Sequence, residues 1–396
     1  MKSTLRFISQ ISLGVLLLSG GRGIAQTTSS MIQTPPTVLE MMDSFLLEKD
    51  WGLGFNEVDG KTFIVVQGTA VIGEPTKREA YGAARKSAYD RAMLEAKQKV
   101  AEFLAVEITS NPLNRWNVSS PNSIGGLLSA RLMVRLKSDL DAKGIDIDAF
   151  SGGSNNDLVK EIVKSERYSK LIRTTAQAEV IGVQAFCTFE SINEEGKPEL
   201  GVIAVWSPRL HDMASSMVTG FSVAPGQPKT QIRKQVRADN ATLLSSFGVR
   251  LLADEKGDWV LVAYGQGESK GKAGQMANSM LREFAGEVIA VAKVAYSAET
   301  FTEYENKQEN YSLVSTFHEM GLSIAESLSH SGMLPVYEAR IKHPKTGSTI
   351  YLSVMSWSLK NMGLAVEMIS SGKGNFKASE GYSSAVGIPS DDAAIR

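Results

Sequence analysis

An internal repeat constrains this chain more than any other feature. Ser207-Pro208-Arg209-Leu210-His211-Asp212-Met213 follows an apolar run ending Val205-Trp206, and Ser356-Trp357-Ser358-Leu359-Lys360-Asn361-Met362 follows one ending Val354-Met355. Trp51-Gly52-Leu53-Gly54-Phe55 has a partner in Phe247-Gly248-Val249-Arg250-Leu251, at nearly the same distance before the next apolar strand. Such a chain is expected to fold as two homologous units. Chemistry common to both copies would show as matched reactive residues, and the sequence offers none.

With Gly68 set against Gly265 and Ser207 against Ser356, the paired landmarks lie 139 residues apart in the first copy and 91 in the second, a difference of 48. Residues 110–157 account for it. They carry Asn111-Pro112, Ser120-Pro121, Gly125-Gly126 and Gly152-Gly153, all turn signals, and read as an insertion in the first unit.

Residues 1–25 read as a signal peptide. Lys2 and Arg6 precede a short apolar run over residues 8–18, and Gly23-Ile24-Ala25 offers the small side chains of a cleavage site. The run is shorter than the roughly 20 apolar residues a membrane-spanning helix needs. The one cysteine, Cys187, is remote from that site, so neither a lipid anchor nor an intrachain disulfide is expected. Loss of Lys2, Arg6 and Arg22, with no acid, takes the formal net charge from −1 to −4, which argues against nucleic-acid binding. The expectation is a periplasmic or extracellular protein without a transmembrane anchor once the signal is removed. Residues 26–36, rich in Thr, Ser and Pro, read as a flexible leader and residues 371–396 as a disordered tail. Between them lie a first unit, 37–228, and a second, 229–370.

Each unit reads β-β-α-β-β-α with a helix in front. In the first, a helix over 37–47 precedes strands at 51–55 and 62–72 around Asp59-Gly60. A long helix over 76–108 begins with Thr76 and Glu79 spaced as a capping box. It carries the ladder Ala84, Ala88, Ala92, Ala96, Val100, Leu104, with Lys77, Arg78, Arg85, Lys86, Glu95, Lys97 and Lys99 as a solvated face. Strands at 176–190 and 200–206 flank Glu194-Glu195-Gly196-Lys197, and a helix over 208–218 has Pro208 in its first turn. The second unit repeats the order: helix 229–246, strands 248–253 and 258–264, helix 271–299, strands 333–341 and 349–355, helix 359–369. Hairpins on either side of a long helix predict an antiparallel sheet with that helix packed on one face, an α+β fold.

The motifs that could carry chemistry have plain structural readings. Gly265-Gln266-Gly267-Glu268-Ser269-Lys270-Gly271-Lys272-Ala273 sits between a strand and a helix, as a phosphate-binding loop would. Its glycines are wrongly spaced, however, and Ala273 stands where a metal-binding hydroxyl belongs. His211, His318, His330 and His343 are scattered, and His211 and Asp212, adjacent on a helix, are expected to face apart. Cys187, between Phe186 and Thr188, reads as a buried, inert thiol. No catalytic, cofactor-binding or metal-ligating residue and no cofactor are assigned. Ala277, Leu281, Phe284, Val288, Val291 and Ala295 repeat every three or four residues. This stripe either packs on the unit's own sheet or forms a seam between oligomer partners.

The strand at Phe63 to Ile72 followed by the alanine-laddered helix from Ala80 to Leu104 resembles certain bacterial envelope domains. Among these are the amino-terminal domain of the flagellar T-ring protein, small outer-membrane lipoproteins of that kind, and uncharacterised secreted bacterial families. The resemblance implies assembly or scaffolding with protein partners in the cell envelope rather than catalysis. It carries no site residue across, and the lipid-bearing cysteine of the lipoproteins is missing. The sequence reading is therefore a non-enzymatic interaction component of the envelope. Its alternative is an enzyme or small-ligand binder using a cleft between the two units.

Overall fold

In a computed structural model of the chain, residues 35–73, 81–110, 132, 165–220, 223–226, 240–295, 313–329, 331–343, 347 and 349–358 are described. The signal peptide, nearly all of the leader and the 110–157 insertion, the capping box at Thr76, the helix expected over 359–369 and the tail lie outside them.

The first repeat opens with α1 (Val38–Lys49), whose start is written in its sequence: Thr37 accepts from the Glu40 N–H at 3.2 Å, and Glu40 accepts from the Thr37 N–H at 2.8 Å. Then follow β1 (Gly54–Val58), β2 (Lys61–Val71), α2 (Tyr81–Ser110), α3 (Glu166–Ala178), β3 (Gln184–Ile192), β4 (Pro198–Trp206) and α4 (Pro208–Thr219). The second comprises α5 (Asn240–Ser245), β5 (Gly248–Ala253), β6 (Trp259–Gly267), α6 (Lys270–Ala295), α7 (Leu313–Ser327), β7 (Leu334–Lys342) and β8 (Thr349–Ser358). Both sheets are antiparallel with one strand order, β1-β2-β4-β3 and β5-β6-β8-β7. The α+β reading with the repeated β-β-α pattern holds, and α2 and α6 each lie on their own sheet.

Each repeat also holds a helix between its long helix and its second hairpin, α3 or α7, which the sequence reading did not place. Residues 176–178, expected to begin a strand, close α3, and β1 starts at Gly54 rather than at residue 51.

Strand register makes the repeat concrete. A bulge interrupts β3 between Ala185 and Cys187 and β7 between Pro335 and Tyr337. Matching the bulges sets Ala204 against Met355 and Trp206 against Trp357, both tryptophans fully buried. Ser207 thus corresponds to Ser358, two residues beyond the partner expected from sequence. The same register sets Gly68 against Gly265, through their partners Val202 and Ser353. A side chain at Gly68 would overlap the Ala92 carbonyl and crowd the Ala96 nitrogen; one at Gly265 would overlap the Ala273 carbonyl and the Ala277 nitrogen. Each long helix thus crosses its sheet at a glycine, against two alanines one turn apart. That contact accounts for Gly265, while Gly267 meets the backbone of Lys272 and Ala273 in the same way.

Ala88, Ala92, Ala96, Val100 and Leu104 form the buried face of α2, as their spacing predicts. On α6, Ala277, Leu281, Val288 and Val291 are buried and Phe284 packs against the same core. The oligomer seam suggested for Ala277, Leu281, Phe284, Val288, Val291 and Ala295 is accordingly corrected for the first five: they are consumed within the chain, by the helix's own sheet and by α7, and the side chain of Ala295 lies outside the described residues. On the other face of the first sheet, Val38, Met42 and Leu46 of α1 cover Val65, Cys187, Ile203 and Val205.

Candidate functional site

Residues 36–396 form one contact unit, and the polar chemistry of the described residues gathers where its two repeats meet. Three of the side chains expected on a solvated face of α2 lie there. Arg85 is buried; its Nε donates to Glu190 of β3 at 2.8 Å, and its guanidinium lies over the Phe247 ring, 4.7 Å from the centroid. Its Nη1 donates to Gln266 of β6, whose own amide donates to the Leu244 carbonyl at 3.3 Å. The Tyr81 hydroxyl donates to Glu190, and His343 Nε2 lies 3.3 Å from the same carboxylate. Burial alone would raise the Glu190 pKa. Hydrogen bonding from His343 and Tyr81 and the Arg85 charge outweigh it, and the carboxyl is lowered to about 2.

Beyond this cluster, Lys86 Nζ donates to both Asp90 oxygens and to Glu283 of α6, each at 2.7 Å. Lys97 pairs with Glu287, also on α6. Burial pushes the Asp90 carboxyl up against the pull of Lys86. Burial would push Glu283 up too, but the Lys86 charge and hydrogen bonds from Lys86 and Ser279 hold it down. Asp90, Lys97, Glu283 and Glu287 line a cavity of about 50 Å³ with Tyr89, His318 and Met280. That volume suits a water or two, far below the ~300 Å³ at which small-molecule sites begin.

The histidines separate as follows. His318 reaches the cavity and His343 the Glu190 cluster, while His330 lies outside the described residues. His211 is buried, with Nε2 2.9 Å from Glu179 and Nδ1 3.3 Å from Asp212, so the two neighbours on α4 do meet, contrary to expectation. Cys187 is buried, and burial pushes its thiol up to about 12. Among the described residues no His, Cys, Asp and Glu side chains converge in threes to hold a metal ion. None of those residues forms a helix long and apolar enough to cross a membrane.

A second feature faces outward. Phe45, Trp51, Phe63, Phe186 and Phe189 form a chain of edge-on and tilted ring contacts, with centroids 5.0 to 6.5 Å apart, beside the end of α1. Phe186 is exposed, and Leu47, in the last turn of α1, is 83% exposed. Sequence reasoning singled out neither this cluster nor Arg85, Glu190 and Gln266. The one available signal was the density of Phe and Trp at positions 45, 51 and 63.

A family described as a domain of unknown function (DUF6844) matches residues 129–219. No curated protein matches the chain. The 2.3 Å crystal structure of the hypothetical protein FTT1539c from Francisella tularensis is similar at a TM-score of 0.49 and 17% identity, covering 84% of this chain and 93% of that one.

Proposed function

We propose that the protein is a secreted or periplasmic, non-enzymatic interaction component of the bacterial cell envelope. The observation that carries this reading is the partly exposed aromatic cluster of Phe45, Trp51, Phe63, Phe186 and Phe189, with Leu47 also exposed in the last turn of α1. Partly exposed aromatic rings supply large contact area at small entropic cost and are enriched where proteins meet. Exposed apolar surface of this kind marks interaction sites. The charged side chains at the repeat junction, by contrast, face one another: Arg85 meets Glu190, Lys97 meets Glu287, and Lys86 is shared by Asp90 and Glu283. The signal-peptide pattern of residues 1–25 and the resemblance to envelope assembly domains support the placement.

Photo-crosslinking in the native cell tests it. A crosslinker at Leu47 or Phe186 is expected to capture one protein in the envelope fraction, and one at Glu195, on an exposed hairpin turn, none. No crosslink at either position would count against the reading.

A second reading, a ligand no larger than a water or two at the cavity, is favoured by the Asp90 carboxyl lining it, which burial holds above its usual range. Stabilisation by a small molecule that is lost in Asp90→Asn, with no protein captured at Leu47, would support it instead.

A further inference from the structure

The junction between the repeats supplies a template for a second, intermolecular junction. Within the chain, the β3 edge of the first sheet runs beside the β5 edge of the second. Gln184 Oε1 accepts from the Leu251 N–H at 2.6 Å, and Arg250 Nη2 donates to the Phe186 carbonyl at 2.9 Å. Behind the strands, α2 meets α6 through Lys86 with Glu283 and Lys97 with Glu287, and α3 meets α6 and α7. One half of the junction is therefore the β3 side of a repeat, and the other half the β5 side.

Because the chain is a repeat, each half has a counterpart. The β5 side corresponds to β1 and the later turns of α2; the β3 side corresponds to β7 with α7. Neither β1 nor β7 has a second strand neighbour among the described residues. Register names the equivalent positions. Phe55 pairs with Ile64 as Leu251 pairs with Leu261, so Phe55 stands at the place of Leu251. Leu251 is 1% exposed in the junction, whereas Phe55 is 39% exposed. Counting from the shared crossing at Ala92 and Ala273, Val106 stands at the place of Glu287 and is 64% exposed. Phe103, on the same helix as Val106, contacts Phe55 with ring centroids 6.3 Å apart. On the other side, Leu334 stands at the place of Gln184 and is 42% exposed, and α7 exposes Leu322.

At these positions the two unused halves carry exposed apolar side chains where the used halves carry polar or buried ones. The rest of β7 is guarded, with Pro335, Glu338, Arg340 and Lys342 exposed, so the apolar contact is confined to the Leu334 end of that edge. We infer that copies of this protein join head to tail, with the β7 edge of one copy, through Leu334 and Leu322, against the β1 edge of the next, through Phe55 and Val106. Such a contact is heterologous and repeats from copy to copy instead of closing at a two-fold dimer. It differs from the intramolecular junction in replacing the Gln184–Leu251 and Arg250–Phe186 hydrogen bonds by apolar contact. The inference rests on the interaction reading above and specifies a second copy as one partner, on a surface separate from Leu47.

Sedimentation of the purified protein over a wide concentration range tests it, with Phe55→Asp and Leu334→Asp as variants. The unaltered protein is expected to gain mass beyond a dimer as concentration rises. Each variant alone lacks one half of every junction and is expected to stay monomeric. Mixed in equal amounts, the two variants retain one good half each and are expected to form a one-to-one dimer that grows no further. A protein monomeric throughout, a dimer that does not grow, association by either variant alone, or a mixture that stays monomeric would each overturn the inference. Should either variant lose its near-ultraviolet circular dichroism, Val106→Glu and Leu322→Glu repeat the complementation from the helices. Crosslinking at Leu47 is read separately, so a monomeric protein leaves the interaction reading standing, and an empty crosslink leaves self-assembly standing.

Discussion

Arg85 and Glu190, 105 residues apart in the chain, close a 2.8 Å ion pair inside the junction of the two repeats. The guanidinium also bonds Gln266, so one side chain of α2 ties the edge of its own sheet to a central strand of the other. A cation this buried persists only when its donors are matched, and here Glu190, Gln266 and the Phe247 face supply the match.

Glu190 makes stability depend on pH. Its folded-state pKa is lowered from 4.5 to about 2, so the ionised carboxylate adds stability above pH 4.5 that drains away as pH falls toward 2. At about 1.4 kcal/mol per pH unit, that contribution is on the order of 3 kcal/mol. Arg85, Tyr81 and His343 are the polar side chains that hold the carboxylate. Urea unfolding of the parent and of Glu190→Gln between neutral pH and pH 2 is expected to converge on acidification. Curves that stay parallel would sink the assignment.

Gly68 and Gly265 are predicted to be equally intolerant of a side chain. A methyl group at Gly68 would meet backbone atoms of Ala92 and Ala96, and one at Gly265 those of Ala273 and Ala277, none of which can rotate away. Overpacking of this kind costs about 1–3 kcal/mol or more. Gly68→Ala and Gly265→Ala should each lower the melting temperature by several degrees, whereas Gly73→Ala, with open space around it, should leave it unchanged. An unaffected Gly265→Ala would mean that the glycine-rich turn does not owe its glycine to the helix crossing.

Elements whose signals are local were legible in sequence. The alanine ladder of α2, the Asp59-Gly60 turn and the run from Gly248 to Ala253 all describe contacts within a few residues or with the helix's own sheet. Helix α7 was not, because Gly321 sits within it and reads as a breaker. It is there because Gly286 and Gly321 let α6 and α7 approach until a side chain on either would strike the other's backbone. Helix α3 runs into β3 through the apolar stretch Val180-Ile181, with no proline to divide them. Arg85 and Lys97 escaped for a deeper reason. A charge on an amphipathic helix reads as solvated until its partner is known, and Gln266 and Glu287 lie 181 and 190 residues away.

Cys187 supplies a probe of the first sheet. Burial pushes its thiol up to about 12 and seats it against α1 among Val65, Ile203 and Val205. A neutral, covered thiol is a poor nucleophile. Ellman's reagent at mildly alkaline pH should leave the folded protein unlabelled and should react with one thiol per chain after denaturation. Fast labelling of the folded protein would mean that α1 opens readily from β3 and β4.

Lys97 and Glu287 separate electrostatic stabilisation from mere tolerance of buried charge. Both side chains are mostly buried, and each neutralises the other across the α2–α6 contact. Removing one partner strands a charge that burial has stripped of water, at a cost of about 3–5 kcal/mol. Removing both leaves an apolar gap that Met93, Phe284 and Met280, which line the same cavity, can close against. Glu287→Leu and Lys97→Met alone are therefore expected to destabilise strongly, and the double substitution is expected to recover most of the loss. A double-mutant cycle from denaturant unfolding measures the coupling. If the two single losses simply add, the pair contributes no mutual stabilisation.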